Sequence, residues 1–347
     1  ALDALDERDA EGELERLNEL KASLGFRLGL AFNDARADAE TTARRLAALA
    51  SAVIGAVLTL AENELAAQHG RLPGTGSGLA VLGYGSLGGE ELGFASDLDL
   101  VFVYDSARAG LESDGTRPLD GVRWYQRLVQ RVMHWLGVLT RAGRLYEVDT
   151  RLRPDGSSSM LVTSLDAFVA YQHGRAWTWE HQALLRARAV AGDSVLREHL
   201  QAVRRSVLMQ PRAAAQVRNE VAAMRRRWRS ERDRSDAQRL DLKQGAGALL
   251  DIEFLLQGLV LAHAARYPQL LDHTANVALI AACRDAGLLD TEQAQVLTTA
   301  HADMLQRALA CTLDARPRVI ARDAGIDAQC AQVSVLAQAL GFNFDAG

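Results

Sequence analysis

The 347-residue sequence predicts an α+β chain, predominantly helical, with a small mixed sheet set between N-terminal helices and a C-terminal helical bundle. Three observations carry that expectation. Apolar residues recur at helical spacing in both flanks, and β-forming runs are confined to about residues 79–163. A turn-rich stretch, Leu72-Pro73-Gly74-Thr75-Gly76-Ser77-Gly78, separates the first helical region from the first strand.

Across 13–67, Leu14, Leu17, Leu24 and Leu28, then Leu46, Leu49, Val53, Val57 and Leu60, repeat with the period of a helix. Strands are expected over 79–82, 98–104, 145–152 and 160–163, where β-branched and aromatic residues concentrate. Helices are expected over 122–139 and 165–171, and from about Trp177 helix is expected almost to the end, most clearly over 217–228, 252–265, 275–286 and 291–313. Boundaries near 75 and 195 then give an N-terminal helical linker or regulatory region (1–75), a central domain with the strands (76–195) and a C-terminal helical domain (196–347).

Composition limits the function classes. An apolar fraction of 48% with 24% charged residues is that of a soluble globular protein, and no apolar run is read as long enough to cross a bilayer. The start, Ala1 to Glu7, is acidic and lacks the basic and apolar regions of a secretory signal, so a cytoplasmic location without a membrane partner is expected. Cys283, Cys311 and Cys330 match neither a disulfide framework nor a zinc site and read as small apolar residues. A net charge of -5 argues against a nucleic-acid partner. The local cluster Arg225, Arg226, Arg227, Arg229, Arg232 and Arg234 reads as a solvated helix face interleaved with Glu231 and Asp233.

The chemistry concentrates in Gly83-Tyr84-Gly85-Ser86-Leu87-Gly88-Gly89-Glu90-Glu91 and the residues through Phe102. Strand alternation sends Asp97 and Asp99 to one face and Leu98, Leu100 and Phe102 to the other. Two carboxylates held together repel unless a cation lies between them, and Mg2+ suits carboxylate, water and phosphate oxygens. The same alternation over 146–153 puts Glu147, Asp149, Arg151 and Arg153 on one face. Asp149 completes a three-carboxylate set for two Mg2+ ions, with Arg151 and Arg153 reaching outward to a triphosphate. Gly85 permits the tight turn, and Ser86 with the amides after it forms a cradle for phosphate oxygens. A Gly-Ser turn, an Asp-x-Asp pair ten residues after the serine, and a third aspartate on a later strand together form a nucleotidyltransferase signature with ATP as substrate.

These residues resemble one family, the glutamine synthetase adenylyltransferases. Its pattern Gly-x-Leu-Gly-Gly-x-Glu-Leu-x-Phe/Tyr-x-Ser-Asp-Leu/Ile-Asp-Leu is met by Gly85, Leu87, Gly88, Gly89, Glu91, Leu92, Phe94, Ser96, Asp97, Asp99 and Leu100. Val148, Asp149, Arg151, Leu152, Arg153, Pro154 and Gly156 match a second pattern, and Trp177 to Arg188 and Asp241-Leu242-Lys243 with Gly247, Asp251, Ile252, Glu253 and Phe254 match others. Position 86, often lysine in the family, is Ser86 here, and the Gly-Gly before the Asp-Ile-Glu-Phe run is Ala246-Gly247. The resemblance implies transfer of AMP from ATP to a tyrosine hydroxyl of glutamine synthetase, by the C-terminal, adenylylating half of a longer enzyme. It also implies regulation by a PII-type signalling protein and by glutamine. Alternatives are the half that removes AMP by phosphorolysis and a catalytically silent nucleotide- or partner-binding module. Lys243, with Lys21 one of the chain's two lysines, reads either as a surface residue near a helix start or as a phosphate contact. Asp251 and Glu253 read as first-turn acids of a helix, Trp177 and Trp179 as packing residues, and His181 as a core histidine. Arg186 and Arg188 stay open between phosphate contact and ion pairing.

Overall fold

The computed structural model describes residues 10–345, so the acidic segment Ala1 to Glu7 lies outside the described residues. Two long helices open the chain, α1 (Ala10–Asn33) and α2 (Ala39–His69). Asp38 starts α2 by accepting from the Thr41 amide at 2.7 Å, one of the donors a helix N-terminus leaves unpaired. By length and composition α2 is apolar enough to cross a membrane, which corrects the expectation that no stretch is. In this fold α2 is a core helix, burying Leu46, Val53, Ile54, Val57 and Leu65 against the sheet and its neighbours.

The sheet follows. Strand β1 (Leu79–Gly83) leads through a single helical turn, α3 (Gly85–Gly88), to β2 (Leu98–Tyr104). Helix α4 (Gly121–Gly137), N-capped by Asp120, returns the chain to β3 (Val148–Asp149) and β4 (Val162–Ser164). Then come α5 (Leu165–Gly174), α6 (Thr178–Leu185) and β5 (Arg188–Gly192). The sheet runs β3-β2-β1-β5, with β4 also on β2; β1 is antiparallel to β2 and β5, whereas β3 and β4 are parallel to β2, so the sheet is mixed as expected.

The rest is mainly helix: α7 (Ser194–Leu208), α8 (Ala214–Arg232), then a short strand β6 (Arg239–Asp241), α9 (Leu249–His263), α10 (Asn276–Asp285), α11 (Thr291–Leu313), β7 (Val319–Ala321) and α12 (Ala324–Ala339). Three strands thus fall outside 79–163, and the strand expected over 145–152 shrinks to two residues. Strand β5 and the antiparallel pair β6–β7 are short and form through partners distant in sequence, which local pattern does not report.

Alternation along β2 sorts the core into two parts. Leu98, Leu100 and Phe102 pack with α2 and α4, while Val101 and Val103 pack with the C-terminal helices. Asp99 shares the second face, so the C-terminal helical mass covers the strand beside it.

Candidate active site

The aspartates meet where β2 begins. Parallel pairing sets Leu98 opposite Val148 and Asp99 opposite Asp149, placing two carboxylate residues side by side. Asp97, one residue before β2, is exposed, and the Leu98 amide after it donates to the Glu147 carbonyl at 2.9 Å. Burial raises the Asp99 carboxyl to about 6, Asp97 and Asp149 push the same way, and Lys243 and Arg151 oppose them. Three carboxylates therefore share one electrostatic neighbourhood.

Gly85 is needed here. Its φ is +54°, and a β-carbon would stand 2.5 Å from Asp99 Oδ2, so the turn after β1 presses bare backbone against the carboxylate. The Tyr84 amide fixes the approach by donating to the Asp99 carbonyl at 2.9 Å. Ser86 follows in α3 and lines a small cavity toward the C-terminal region.

The arginines depart from the alternation argument, because β3 ends at Asp149 and the chain turns. Arg151 folds back: its Nε donates to Asp149 Oδ2 at 2.7 Å, its Nη2 also donates to that oxygen, and its amide donates to Oδ1 at 2.8 Å. These bonds hold Asp149 below the usual carboxylate range. Arg153 does not reach outward. It is buried, donating to the Thr150 carbonyl at 2.7 Å and the Met160 carbonyl at 3.1 Å, and so braces its own loop.

Among the described residues no three His, Cys, Asp or Glu side chains stand ready as a metal-binding cluster. The guanidinium on Asp149 occupies the oxygens a cation would need. The donor chemistry still fits a hard divalent ion: Asp99 and Asp149 are register partners, and like-charge repulsion already raises Asp99.

Lys243 comes from the C-terminal region, just after β6. It is exposed to solvent yet lines the cavity that holds Ser86, and among its charged neighbours are Arg318, Glu253, Asp99 and Asp97. Burial of the ammonium within the cleft lowers its pKa, and Arg318 lowers it further.

Other motif residues form scaffold. Arg186, open between two roles in the sequence, is an ion-pairing residue: it is buried between Glu91 at 2.8 Å and Glu253 at 2.5 Å. Glu91 also accepts from the Asn276 amide and its Nδ2, both at 2.9 Å, and faces His301 at 3.4 Å. Burial opposes its charge, but Arg186 and His301 draw the Glu91 carboxyl down to about 2. The Gly88-Gly89 doublet makes room for this network, since β-carbons there would stand 1.9 Å from the Arg186 carbonyl oxygen and 1.8 Å from its Nη2. Arg188 stays half-buried, 3.8 Å from Glu90.

Asp251 is no simple first-turn acid. Fully buried, it pairs with Arg225 at 2.6 Å and Arg229 at 2.5 Å and accepts from the Gly247 amide at 2.6 Å. Arg225 is therefore buried within a face expected to be solvated, whereas Arg227 is exposed beside Glu231 as expected. Trp177 is 70% exposed and so is not a packing residue, while His181 is buried against the Gln172 carbonyl and all three cysteines are buried and free, as read. The Glu91–Arg186–Asn276–His301 network escaped sequence reading, although Glu91 and the glycine doublet sit inside the motif.

A mixed sheet with paired aspartates at one strand start and a third on the parallel neighbour, enclosed by helices, is a nucleotidyltransferase-like α+β architecture. A family model for glutamate-ammonia ligase adenylyltransferase matches residues 1–203, and the chain belongs to that family. A model for PII-uridylyltransferase matches residues 217–344. The chain is 51% identical over 346 residues to the bifunctional glutamine synthetase adenylyltransferase/adenylyl-removing enzyme of Xanthomonas campestris pv. campestris, covering 100% of this chain and 37% of the relative. The protein of the same description from Stenotrophomonas maltophilia is 50% identical over 331 residues (95% and 35%), and that from Idiomarina loihiensis 41% over 297 residues (85% and 31%). The chain thus spans about a third of the length of these curated relatives.

Proposed function

We propose that the chain transfers AMP from ATP to a tyrosine hydroxyl of glutamine synthetase, releasing pyrophosphate, at a site built on Asp97, Asp99 and Asp149. The observation that carries this reading is the parallel register of Asp99 with Asp149 beside Asp97, with Gly85 pressed against the same carboxylate. In the reaction the tyrosine oxygen bonds to the α-phosphorus, the bond from that phosphorus to the β-phosphate oxygen breaks, and the hydroxyl proton passes to a carboxylate. A free tyrosine hydroxyl has a pKa of about 10, so it needs such help near neutrality. Two Mg2+ ions held by Asp97, Asp99 and Asp149 would lower that pKa and offset charge on the departing pyrophosphate.

The chain's own residues supply the rest. Arg151, exposed to solvent, exchanges Asp149 for a phosphate when ATP arrives, which frees Asp149 as metal ligand and proton acceptor. Ser86 and Lys243 bind phosphate oxygens at the cavity they both line. Arg153 contributes by holding the loop that carries Arg151. The proposal includes a cytoplasmic setting, control by a PII-type protein and glutamine, and the division at residues 75 and 195 into linker, catalytic and C-terminal parts.

Mass spectrometry tests it. Incubated with ATP, Mg2+ and glutamine synthetase, the chain should add one AMP per modified tyrosine, and Asp97→Asn should add none. Equal transfer by the variant refutes the site. Phosphate-dependent release of ADP from adenylylated synthetase, without forward transfer, assigns the chain to AMP removal instead.

A further inference from the structure

Position 318 enters the site from 75 residues beyond position 243 along the chain. Strands β6 and β7 pair Asp241 with Val319, and the Leu242 amide donates to the Arg318 carbonyl at 2.9 Å, so Lys243 and Arg318 leave adjacent strands side by side. Arg318 Nη2 donates to Ser96 Oγ at 3.0 Å, one residue before Asp97, and a β-carbon on Gly93 would stand 3.3 Å from it. Both cations line the small cavity with Ser86, and both line a groove of about 460 Å³ whose walls also carry Arg232 and Arg234 beside Glu231, Asp233 and Asp241.

Neither side chain has a carboxylate within 4 Å among the described residues. Most arginines near the domain junction do: Arg186 has two, and Arg225 and Arg229 share Asp251. Two adjacent cations with no direct ion pair, facing the aspartates only across the cleft, raise each other's energy. Burial and Arg318 lower the Lys243 ammonium while Glu253, Asp99 and Asp97 act against them, and burial lowers Arg318 against Asp97 and Asp241. A polyphosphate supplies several negative oxygens at the spacing of such a pair, and a planar guanidinium grips two of them together.

We infer that Arg318 is a phosphate-contacting residue of the nucleotide site, acting with Lys243 as a clamp on the β- and γ-phosphates of ATP. The inference rests on the nucleotidyl-transfer reading and adds a residue that no motif marks. Ser96 is the resting partner that Arg318 leaves for the phosphate. The negative charge that builds on pyrophosphate as it departs falls on this clamp, while the carboxylates across the cleft handle the α-phosphorus. Because the clamp is carried by β6 and β7 and the aspartates by β2 and β3, the triphosphate bridges the two regions.

The test measures binding of radiolabelled ATP with Mg2+ to the full chain, with tripolyphosphate and AMP as competitors. Arg318→Ala should weaken ATP and tripolyphosphate at least tenfold and leave AMP within about twofold. Arg318→Gln, which keeps a donor for Ser96 but loses the charge, should behave the same and serves if the alanine variant does not fold. Ser96→Ala should keep ATP affinity within about threefold. Wild-type ATP affinity in both Arg318 variants, an equal loss of ATP and AMP, or a Ser96→Ala loss as large as that of Arg318→Ala overturns the clamp while leaving the carboxylate site standing. A wild-type chain that binds no ATP overturns both.

Discussion

Asp99 and Glu91 lie eight residues apart in one motif, yet their surroundings push them in opposite directions. Asp99 is raised to about 6 by burial and by two neighbouring aspartates. Glu91, also enclosed, is drawn to about 2 because Arg186 and His301 face it. The first carboxylate is held in an unrelieved arrangement, which is how a protein stores affinity for a cation or a proton. The second is satisfied by its own chain and joins the sheet to the C-terminal helices through Asn276 and His301, with Arg186 bridging it to Glu253. Two carboxylates of one motif thus sit in opposite electrostatic surroundings, one crowded by like charge and the other paired within the scaffold.

Single substitutions should separate the two roles. Asp99→Asn is expected to lower AMP transfer on the order of 10³-fold, as loss of a metal ligand and charge stabiliser does, measured as AMP incorporation at saturating ATP. Glu91→Gln leaves Arg186 and His301 facing a neutral group, and should cost about 3 kcal/mol of stability in urea unfolding, within the range for breaking a buried pair. Its transfer rate per folded molecule should fall far less than that of Asp99→Asn. Comparable losses of both kinds in both variants would erase the contrast.

Stability against pH sharpens it further. The folded Asp99 pKa of about 6 exceeds its ordinary 3.8, so the folded state binds the extra proton. The stability this confers is complete below 3.8 and is lost as pH rises through about 6. Glu91 has the opposite sign, stabilising fully above 4.5 and losing that contribution as pH falls toward 2. In chelator, Asp99→Asn should therefore gain on the order of 2 kcal/mol over wild type at pH 7, with the difference shrinking below pH 4, in parallel urea titrations. The smallest expected effect is that of Gly85→Ala. A left-handed φ of +54° disfavours alanine by about 1 kcal/mol, and the new β-carbon displaces the Asp99 carboxylate, so transfer should drop about tenfold with little loss of fold.

Much of this was legible in the sequence because it is local. Period-2 alternation put Leu98, Leu100 and Phe102 on the core face beside α2, and helical periodicity located α4, α9 and α11. The proximity of Asp99 and Asp149 was legible because spacing and residue type single them out, and the parallel register of β2 and β3 sets them side by side. Arg153 was misjudged because alternation was carried beyond Asp149, where β3 ends and the chain turns. Arg225 was read as solvated because its helix is arginine-rich, and only the tertiary arrival of Asp251 shows why one of those arginines is buried. Strands β5, β6 and β7 are too short to announce themselves and form only when distant partners arrive. Arg318 carries no local signal; the pairing of β6 with β7 is what brings it to Ser96, the residue before Asp97.

The central claim is that the strained carboxylates are held for a divalent cation, and a Mg2+ titration followed by thermal unfolding at pH 7 tests it most directly. Ligand that binds only the folded state must raise the midpoint with concentration. Wild type and Glu91→Gln should both rise with Mg2+, and Asp99→Asn should stay flat from its higher starting point. An equal rise in Asp99→Asn, or no rise in wild type, would contradict the account.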